Sequence, residues 1–363
     1  VAYGAMPSYD GATPSKDGIA QYTYTFSGWS PSVVAVTSDA TYYAEFTETE
    51  RPITKGDTYQ FGTYPQSMVI YSTILSRLNA ASGTLPTSEN SQKWTDYGYY
   101  IKGSVSSYMW YIDVITATGK YRGVYFTSYR PNNTTITSST SNSWQDDNGY
   151  TTSSVYWFKY EPITWRVLDV QSNRAFLMAD LVLDSQDYHY STSNRTIGGS
   201  TVYANNYKES HIRSWLNDNF YNTAFTAAEK ARIQTTTVDN SGASTGYSYN
   251  HFACANTSDK VFLLSYAEAT NASYGLSTDA SRQLHPSRYA QSQGVYTDTS
   301  HSNYYWWLSN GISYWWLRSP NHNSRNGARN VNYDGEVRDN YDVYYNDVRL
   351  TSVGVVPALW ISL

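Results

Sequence analysis

The residue types best suited to molecular recognition are concentrated in one segment near the C-terminus, residues 321–347. It contains seven Asn, four Tyr, four Asp, three Arg, one His and one Ser, but no Lys, Gln, Met, Trp, Thr or Pro. Tyrosine offers a rigid amphipathic ring, Arg and Asp make directional charged hydrogen bonds, and Asn both donates and accepts. We therefore expect this segment to be a solvent-facing binding surface rather than a catalytic centre or part of the core.

The same composition is what adenine changes in an Asn codon, AAC or AAT, would generate. A change at the first position gives Tyr, Asp or His, a change at the second gives Ser, and both together give Arg or Gly. Lys, Gln, Met and Trp need a purine at the third position. The residues that such mutation would leave fixed are Ala328, Val331, Gly335, Glu336, Val337 and Val343.

The predicted ligand-binding residues are the polar and aromatic positions of the segment. They are Asn321, His322, Asn323, Ser324, Arg325, Asn326, Arg329, Asn330, Asn332, Tyr333, Arg338, Asp339, Asn340, Tyr341, Asp342, Tyr344, Tyr345, Asn346 and Asp347. The four tyrosines are the expected anchors, because tyrosine contributes large contact area at low entropic cost. For Tyr345 the alternative is packing on the final strand.

A hairpin is predicted inside this segment. A three-residue loop, 333–335, with Gly335 in the left-handed conformation, would place Val331 opposite Val337 on one face. Asn330, Asn332, Glu336 and Arg338 would then face outward.

With so few apolar residues the segment cannot form its own core. We expect it to lie on a scaffold of Trp315, Trp316, Leu317, Leu359 and Trp360.

Elsewhere the sequence offers little catalytic or metal-binding chemistry. Its six His residues lack the spacing of metal ligands. Residues 146–149 (DDNG) do not match a calcium loop and are predicted to form a solvated turn. Asp184 and Asp187 could pair, yet no acid or base partner is evident. We therefore predict no catalytic residue, no metal and no cofactor, and a protein that is not an enzyme.

Composition excludes several classes of protein. The net charge of −5 and the lack of a basic run argue against nucleic-acid binding. No apolar stretch approaches the roughly 20 residues that span a bilayer. Cys254 is the only cysteine, so an internal disulfide and a cysteine-rich zinc site are both excluded. Cysteine avoidance is typical of exported bacterial surface proteins, and we expect an extracellular or cell-surface location.

Residues 1–48 are predicted to be a small β-rich unit, followed by a polar linker at 49–55. Residues 22–26 and 41–46 alternate with the period of half-buried strands, and residues 28–31 supply a turn. Together with residues 3–14, these pieces resemble part of the β-grasp repeat of internalin B-repeat-type surface proteins. The resemblance implies a stalk or spacer, with further repeats before Val1.

Residues 56–363 are predicted to form one α+β ligand-binding domain. Apolar spacing predicts helices at 72–80 and 210–220, and a capping box at Thr226 predicts a third helix through Ile233. The predicted strands are 155–158 and 163–168 on either side of a turn at Glu161-Pro162, then 175–180, 261–264 and 355–361.

Seven motifs of this domain resemble one bacterial family, DUF6273, whose domains have a C-type-lectin-type fold related to formylglycine-generating enzymes. They are residues 56–64, EPITWRVL (161–168), LDSQ (183–186), IRSWLN (212–217), VFLLS (261–265), WWLRSP (315–320) and GV…PALW (354–360). The resemblance implies that residues 56–64 and 355–361 pair, and that an irregular region near the C-terminus carries the ligand surface. The enzyme activity uses a cysteine pair, which a single cysteine cannot supply.

Segment 321–347 itself resembles the variable proteins of diversity-generating retroelements. This resemblance implies a surface-displayed receptor or adhesin that recognises varied protein or glycan ligands on another cell, a host or a phage. One alternative is an undiversified module of the same family with a structural or cell-wall role. A second alternative is a degenerate enzyme.

Overall fold

The computed structural model describes residues 1–18, 21–87, 93–97, 109–131, 144–298, 311–338 and 347–363. Within these ranges the protein is mixed α and β, mostly strands with few helices, which agrees with the predicted α+β class. Among the same residues, none of the helices combines the length and apolar character needed to cross a bilayer.

In chain order the strands are β1 (Tyr22–Ser30), β2 (Tyr43–Glu50), β3 (Thr58–Met68), β4 (Thr95–Asp96), β5 (Met109–Thr116), β6 (Gly119–Phe126), β7 (Val155–Gln171), β8 (Arg174–Ala179), β9 (Asp184–Ser185), β10 (Arg195–Ile197), β11 (Ser200–Val202), β12 (Ile233–Gln234), β13 (Thr236–Val238), β14 (Thr257–Asp259), β15 (Trp315–Pro320), β16 (Ala328–Val331), β17 (Val337–Arg338), β18 (Gly354–Val355) and β19 (Ala358–Ser362). The α-helices are α1 (Ser72–Ser82), α2 (Trp144–Asp147), α3 (His211–Trp215), α4 (Tyr221–Ala224), α5 (Ala227–Arg232), α6 (Tyr266–Ala269), α7 (Asp279–Arg282) and α8 (Arg288–Ser292). A π-helical turn covers Leu216–Phe220, and 3₁₀ turns cover Tyr207–Glu209, Ala243–Thr245 and Ala272–Tyr274.

The N-terminal strands β1 and β2 pair antiparallel as a two-stranded sheet. Phe26 lies opposite Phe46, and their rings meet edge-on at a centroid distance of 6.0 Å. Both predicted strands are therefore confirmed. Because β2 continues to Glu50, the first two residues of the predicted linker belong to a strand.

A large sheet has the strand order β12-β19-β8-β7-β6-β5-β4, and β3 also pairs with β7. Strand β7 is 17 residues long and runs through Pro162, so the predicted turn at Glu161-Pro162 is wrong. Pro162 lies opposite Thr63, where the register with β3 is irregular. A proline has no N–H to donate, and such an irregularity in the ladder is where a strand tolerates it.

The predicted direct pairing of residues 56–64 with residues 355–361 is also wrong. Strand β3 is separated from β19 by β7 and β8, although all four lie in the same sheet. Both edges of β19 are already taken, because β8 pairs along one edge and β12 along the other. The first strand of the predicted domain therefore has no edge of β19 on which to pair.

A second sheet has the order β17-β16-β15-β18-β9. It contains the WWLRSP motif as β15, whose residues are all buried. The predicted closing strand is split at Val356 and Pro357, so that β18 belongs to this sheet and β19 to the large one. The predicted strand at 261–264 is reduced to a single bridge between Phe262 and Ala358.

The helix predictions agree with the structure in type. Helix α1 is confirmed and extends to Ser82. The side chain of Ser210 caps α3, which continues through the π-helical turn into α4. The Thr226 capping box is present, but α5 ends at Arg232 because Ile233 enters β12. Of the predicted turn at 146–149, residues 146 and 147 are the end of α2, and residues 148 and 149 form a turn.

The core lies between the two sheets and the helices that cover them. The predicted scaffold of Trp315, Trp316, Leu317, Leu359 and Trp360 is buried, and it shares one apolar cluster with Ala328 and Val331. Burying side chains of this size contributes about 1.5–3 kcal/mol each. The segment 321–338 thus packs on the apolar scaffold that was predicted for it.

Candidate functional site

The candidate site is built on the hairpin of β16 and β17. Val331 lies opposite Val337, and Asn332 N donates to Glu336 O at 2.9 Å. This register leaves a three-residue loop whose last residue, Gly335, has φ +88°. The predicted hairpin and its left-handed glycine are confirmed.

Two side chains from the end of α7 hold this loop. Arg282 Nε donates to Gly335 O at 2.8 Å, and Gln283 Nε2 donates to Asp334 O at 3.1 Å. Arg282 is buried and also donates to Leu276 O at 2.7 Å. Nothing in the local sequence around 282 indicated this function, because the contact joins residues about fifty positions apart.

A second turn, residues 321–327, lies at the other end of β16. Asn321 N donates to Gly327 O at 3.0 Å, which closes the turn. The fully buried Asn205 donates from Nδ2 to Ser324 O at 2.7 Å and to Gly327 O at 3.0 Å. Its own N–H donates to Arg325 O at 3.2 Å. Asn205 is thus a positioning residue for the turn that the sequence prediction missed.

Among the predicted binding residues that the structure describes, the fully exposed ones lie at the tip of this turn. Asn323 and Arg325 are exposed, and His322, Ser324 and Asn326 are half-buried. The His322 ring stacks on Tyr247, with centroids 3.9 Å apart.

Five predicted binding residues are buried instead: Asn321, Arg329, Asn330, Asn332 and Asp347. The prediction that Asn330 and Asn332 face outward is wrong. The reason is that β16 lies between β15 and β17 and is covered on both faces, so that all four of its residues are buried.

Two of these buried residues are charged, and both have partners within the protein. The Arg329 guanidinium lies 4.2 Å from the centre of the Tyr266 ring, in a cation–π contact. Asp347 pairs with Arg349, whose Nη2 is 2.7 Å from Oδ2. Both side chains are thus buried and have partners within the protein.

Tyr333 and Arg338 are intermediate in solvent exposure. Tyr333 is half-buried, with its ring centre 5.6 Å from that of Tyr314 and 6.2 Å from that of Tyr296. Arg338 forms ion pairs with Glu336 at 3.3 Å and Asp334 at 3.7 Å. Tyr333 therefore packs partly on the core, and only part of its ring is available as an anchor.

The remaining predicted positions lie outside the described residues. They are Asp339, Asn340, Tyr341, Asp342, Tyr344, Tyr345 and Asn346. Their assignment to the binding surface stays a prediction.

The acidic residues considered in the sequence have separate partners. Asp184 Oδ2 accepts from the Tyr64 hydroxyl at 2.6 Å, and Asp187 Oδ2 lies 3.1 Å from His211 Nδ1. Burial raises the pKa of Asp184. In the ranges that the structure describes, no group of three or more His, Cys, Asp or Glu side chains could hold a metal ion.

Fold and site together define an α+β protein in which the turn at 321–327 and the loop at 333–335 lie on an apolar scaffold. A family model described as "Domain of unknown function (DUF6273)" matches residues 172–363, just over half of the chain. The chain belongs to this family. Residues 56–171, where the predicted resemblance began, lie outside the match. No curated protein and no solved structure matched the chain.

Replacing Asn205 with Ala is expected to loosen the turn at 321–327. The Ser324 and Gly327 carbonyl groups would each lose a buried donor, which costs about 1–3 kcal/mol. We expect faster hydrogen exchange of the amides in this turn and a matching loss in the free energy of unfolding. Asn323→Ala, at an exposed position of the same turn, is the control and is expected to change stability by less than about 0.5 kcal/mol. Equal behaviour of the two variants would contradict the positioning function of Asn205.

Proposed function

We propose that this protein is a surface-displayed receptor or adhesin whose residues 321–347 are diversified by a retroelement to recognise varied ligands. The observation that carries the proposal is a partial correspondence between mutability and burial. Among the described residues that adenine mutation leaves fixed, Ala328, Val331 and Gly335 are buried within the segment, Val337 is half-buried and Glu336 is exposed. Positions 322–326, whose residue types such mutation generates, form the solvent-facing turn.

Burial divides the proposed variable positions into two groups. Asn323 and Arg325 are exposed and have room to change to any residue type reached from an Asn codon. Asn330 and Asn332 are fully buried in or beside β16, where a larger ring would overpack the core at a cost of about 1–3 kcal/mol. We expect small polar residues to predominate at these two positions and the full set of residues at 323 and 325.

The proposed scaffold is of the C-type-lectin type within the DUF6273 region. Support comes from the motif resemblance and from the position of the irregular segment between β15 and the last strand. Within residues 172–363 the first strand, β8, and the last strand, β19, pair antiparallel. The separation of β3 from β19 counts against extending this scaffold to residue 56.

The proposed location is the bacterial cell surface, with residues 1–48 as a spacer of the internalin B-repeat type.

The exposed turn combines Arg325, Asn323 and the stacked His322–Tyr247 pair. Such a mixture of aromatic area and hydrogen-bonding groups suits a protein or glycan ligand.

Sequencing of the gene in many cells of one population tests the proposal. We expect substitutions confined to adenines of AAC or AAT codons within 321–347, a near-identical template copy nearby and an adjacent reverse transcriptase gene. Substitutions spread over all bases, or Asn codons without a template copy, would refute diversification.

A second candidate function is an undiversified structural or wall-associated module of the same family. The burial of Asn321, Arg329, Asn330, Asn332 and Asp347 favours it, because these five proposed variable positions do not reach the surface. Binding of the purified protein to isolated cell wall, unchanged by substitutions at 322–326, would support this alternative.

A further inference from the structure

A loop outside segment 321–347 lies against the turn at 321–327. In this loop, residues 246–252, Asn250 Nδ2 donates to Pro320 O at 3.2 Å, which holds the loop beside the start of the turn. The loop also supplies Tyr247, the ring on which His322 stacks. The loop and the turn therefore form one continuous surface.

Tyr203 extends this surface on another side. Its hydroxyl lies 3.0 Å from His251 Nε2, and its ring centre lies 5.5 Å from that of His251 and 5.1 Å from that of Phe252. Asn205, two residues further along, donates to the carbonyl groups of the turn. Three chain segments thus meet in what we call the ring surface: 203–205, 246–252 and 321–327.

The rings of this surface are accessible to a partner and held by one another. Tyr249 is 79% exposed, and within the described part of the chain its hydroxyl forms no hydrogen bond. His251 is also exposed, whereas Tyr203 and Tyr247 are half-buried against their neighbours. Rings that are already packed lose little further freedom when a ligand binds. Tyrosine in such a position supplies large contact area at low entropic cost.

The charges of the ring surface indicate the kind of ligand. Its three segments contain no Asp or Glu, although the chain has 30 acidic residues against 25 basic ones. Arg325 is exposed, and among the described residues it forms no ion pair. A second cation lies behind the rings, because the buried Arg329 guanidinium is 5.2 Å from the centre of the Tyr247 ring. Such a surface is complementary to an acidic partner.

We infer that Tyr203, Tyr247, Tyr249 and His251 form a constant part of the ligand-contact surface, and that this surface binds an acidic peptide segment of a protein partner. The inference rests on the proposed function of ligand binding at the turn, but not on diversification. The rings pack against apolar parts of the peptide, and in this chain Arg325 pairs with one of its carboxylates. Rings from three chain segments suit a peptide of several residues better than a single sugar ring.

The position of the four residues has a consequence for specificity. None of them lies within 321–347, so every descendant with a changed segment would keep the same aromatic contact area. Substitution at 323 and 325 would then select among partners without removing the rings that supply much of the contact.

Panning a phage-displayed library of random peptides of about 12 residues on the immobilised full chain tests the ring surface. We expect the enriched peptides to contain more Asp and Glu than the starting library. Synthetic copies are expected to bind with a dissociation constant of about 1–100 μM. Copies with Asn and Gln in place of Asp and Glu are expected to bind at least about tenfold more weakly, since they lose the charged hydrogen bonds.

Variants then locate the binding of these peptides. Tyr249→Ala and His251→Ala are each expected to weaken it about tenfold, because each removes a contact at the centre of the surface. Tyr71→Ala is the matched control, since it makes the same change at a tyrosine that is 67% exposed and lies just before α1. Thermal unfolding of all three variants is expected to match that of the unchanged protein, because all three side chains are exposed.

Arg325→Ala distinguishes a failure of this inference from a failure of the proposed function. Weaker binding by Arg325→Ala, with undiminished binding by Tyr249→Ala and His251→Ala, would overturn the inference and leave a ligand site at the turn. The reverse result would support the ring surface and count against recognition by the turn.

Two results would overturn the choice of an acidic peptide. One is enrichment of peptides with no excess of Asp and Glu. The other is binding of an acidic glycan, for which an alginate oligosaccharide is the probe, in place of any peptide.

Discussion

Arg318→Met is expected to lower the free energy of unfolding by about 3–5 kcal/mol, because it leaves buried partners without their cation. The Arg318 side chain is 2% exposed and lies in β15 beneath the candidate site. It donates to Leu263 O at 2.7 Å and to Asp239 O at 3.0 Å, and it pairs with Glu268. Although burial acts to lower it, the Glu268 carboxylate raises the pKa of Arg318, so the group stays charged.

Chemical denaturation followed by tryptophan fluorescence measures this loss. Arg338→Met is the matched control, since the same change removes a half-exposed arginine with ion pairs to Glu336 and Asp334. An exposed pair contributes about 0–1 kcal/mol. The double variant Arg318→Met/Glu268→Gln should recover part of the loss, because the unpaired carboxylate is also removed. A cost for Arg318→Met no larger than that for Arg338→Met would show that the buried network does not stabilise the sheet.

Gly335→Ala is expected to cost about 2–5 kcal/mol and to release the hairpin of β16 and β17. Its φ of +88° disfavours any residue with a Cβ by about 1–2 kcal/mol. A Cβ at this position would also overlap with the carbonyl oxygen of Asp279, which adds a steric cost of about 1–3 kcal/mol. Hydrogen exchange should rise across 330–338 in addition to the loss of global stability.

Gly149→Ala separates the two contributions. Gly149 has nearly the same φ, +86°, but a Cβ there would meet no atom within 4 Å. We expect it to cost about 1–2 kcal/mol, from the backbone alone. If both glycine variants lost equal stability, contact between the 333–335 loop and α7 would be unimportant.

The features that could be predicted from the sequence depend on local rules. The three-residue hairpin loop follows from a glycine between two valines of the right spacing. The capping box at Thr226 and the apolar face of 210–220 likewise need only neighbouring residues. Each of these predictions is confirmed because no distant contact overrides it.

The two errors that bear most on the site concern which strand neighbours which. Asn330 and Asn332 look like surface residues, but β16 is an inner strand of its sheet and both are buried. The pairing of β3 with β19 fails because β8 and β12 occupy the edges of β19. Asn205 has no local signal either, since its partners lie about 120 residues further along the chain.

The contacts that hold the two loops of the candidate site have one property in common. Arg282, Gln283 and Asn205 all donate to main-chain carbonyl groups, those of Gly335, Asp334, Ser324 and Gly327. A carbonyl oxygen is present whichever amino acid occupies the position. The side chains at 324 and 334 can therefore be exchanged without loss of a single one of these supports. Sequence change at 324 and 334 is thereby uncoupled from stability, because the surrounding fold is attached to the main chain and not to the side chains at these two positions.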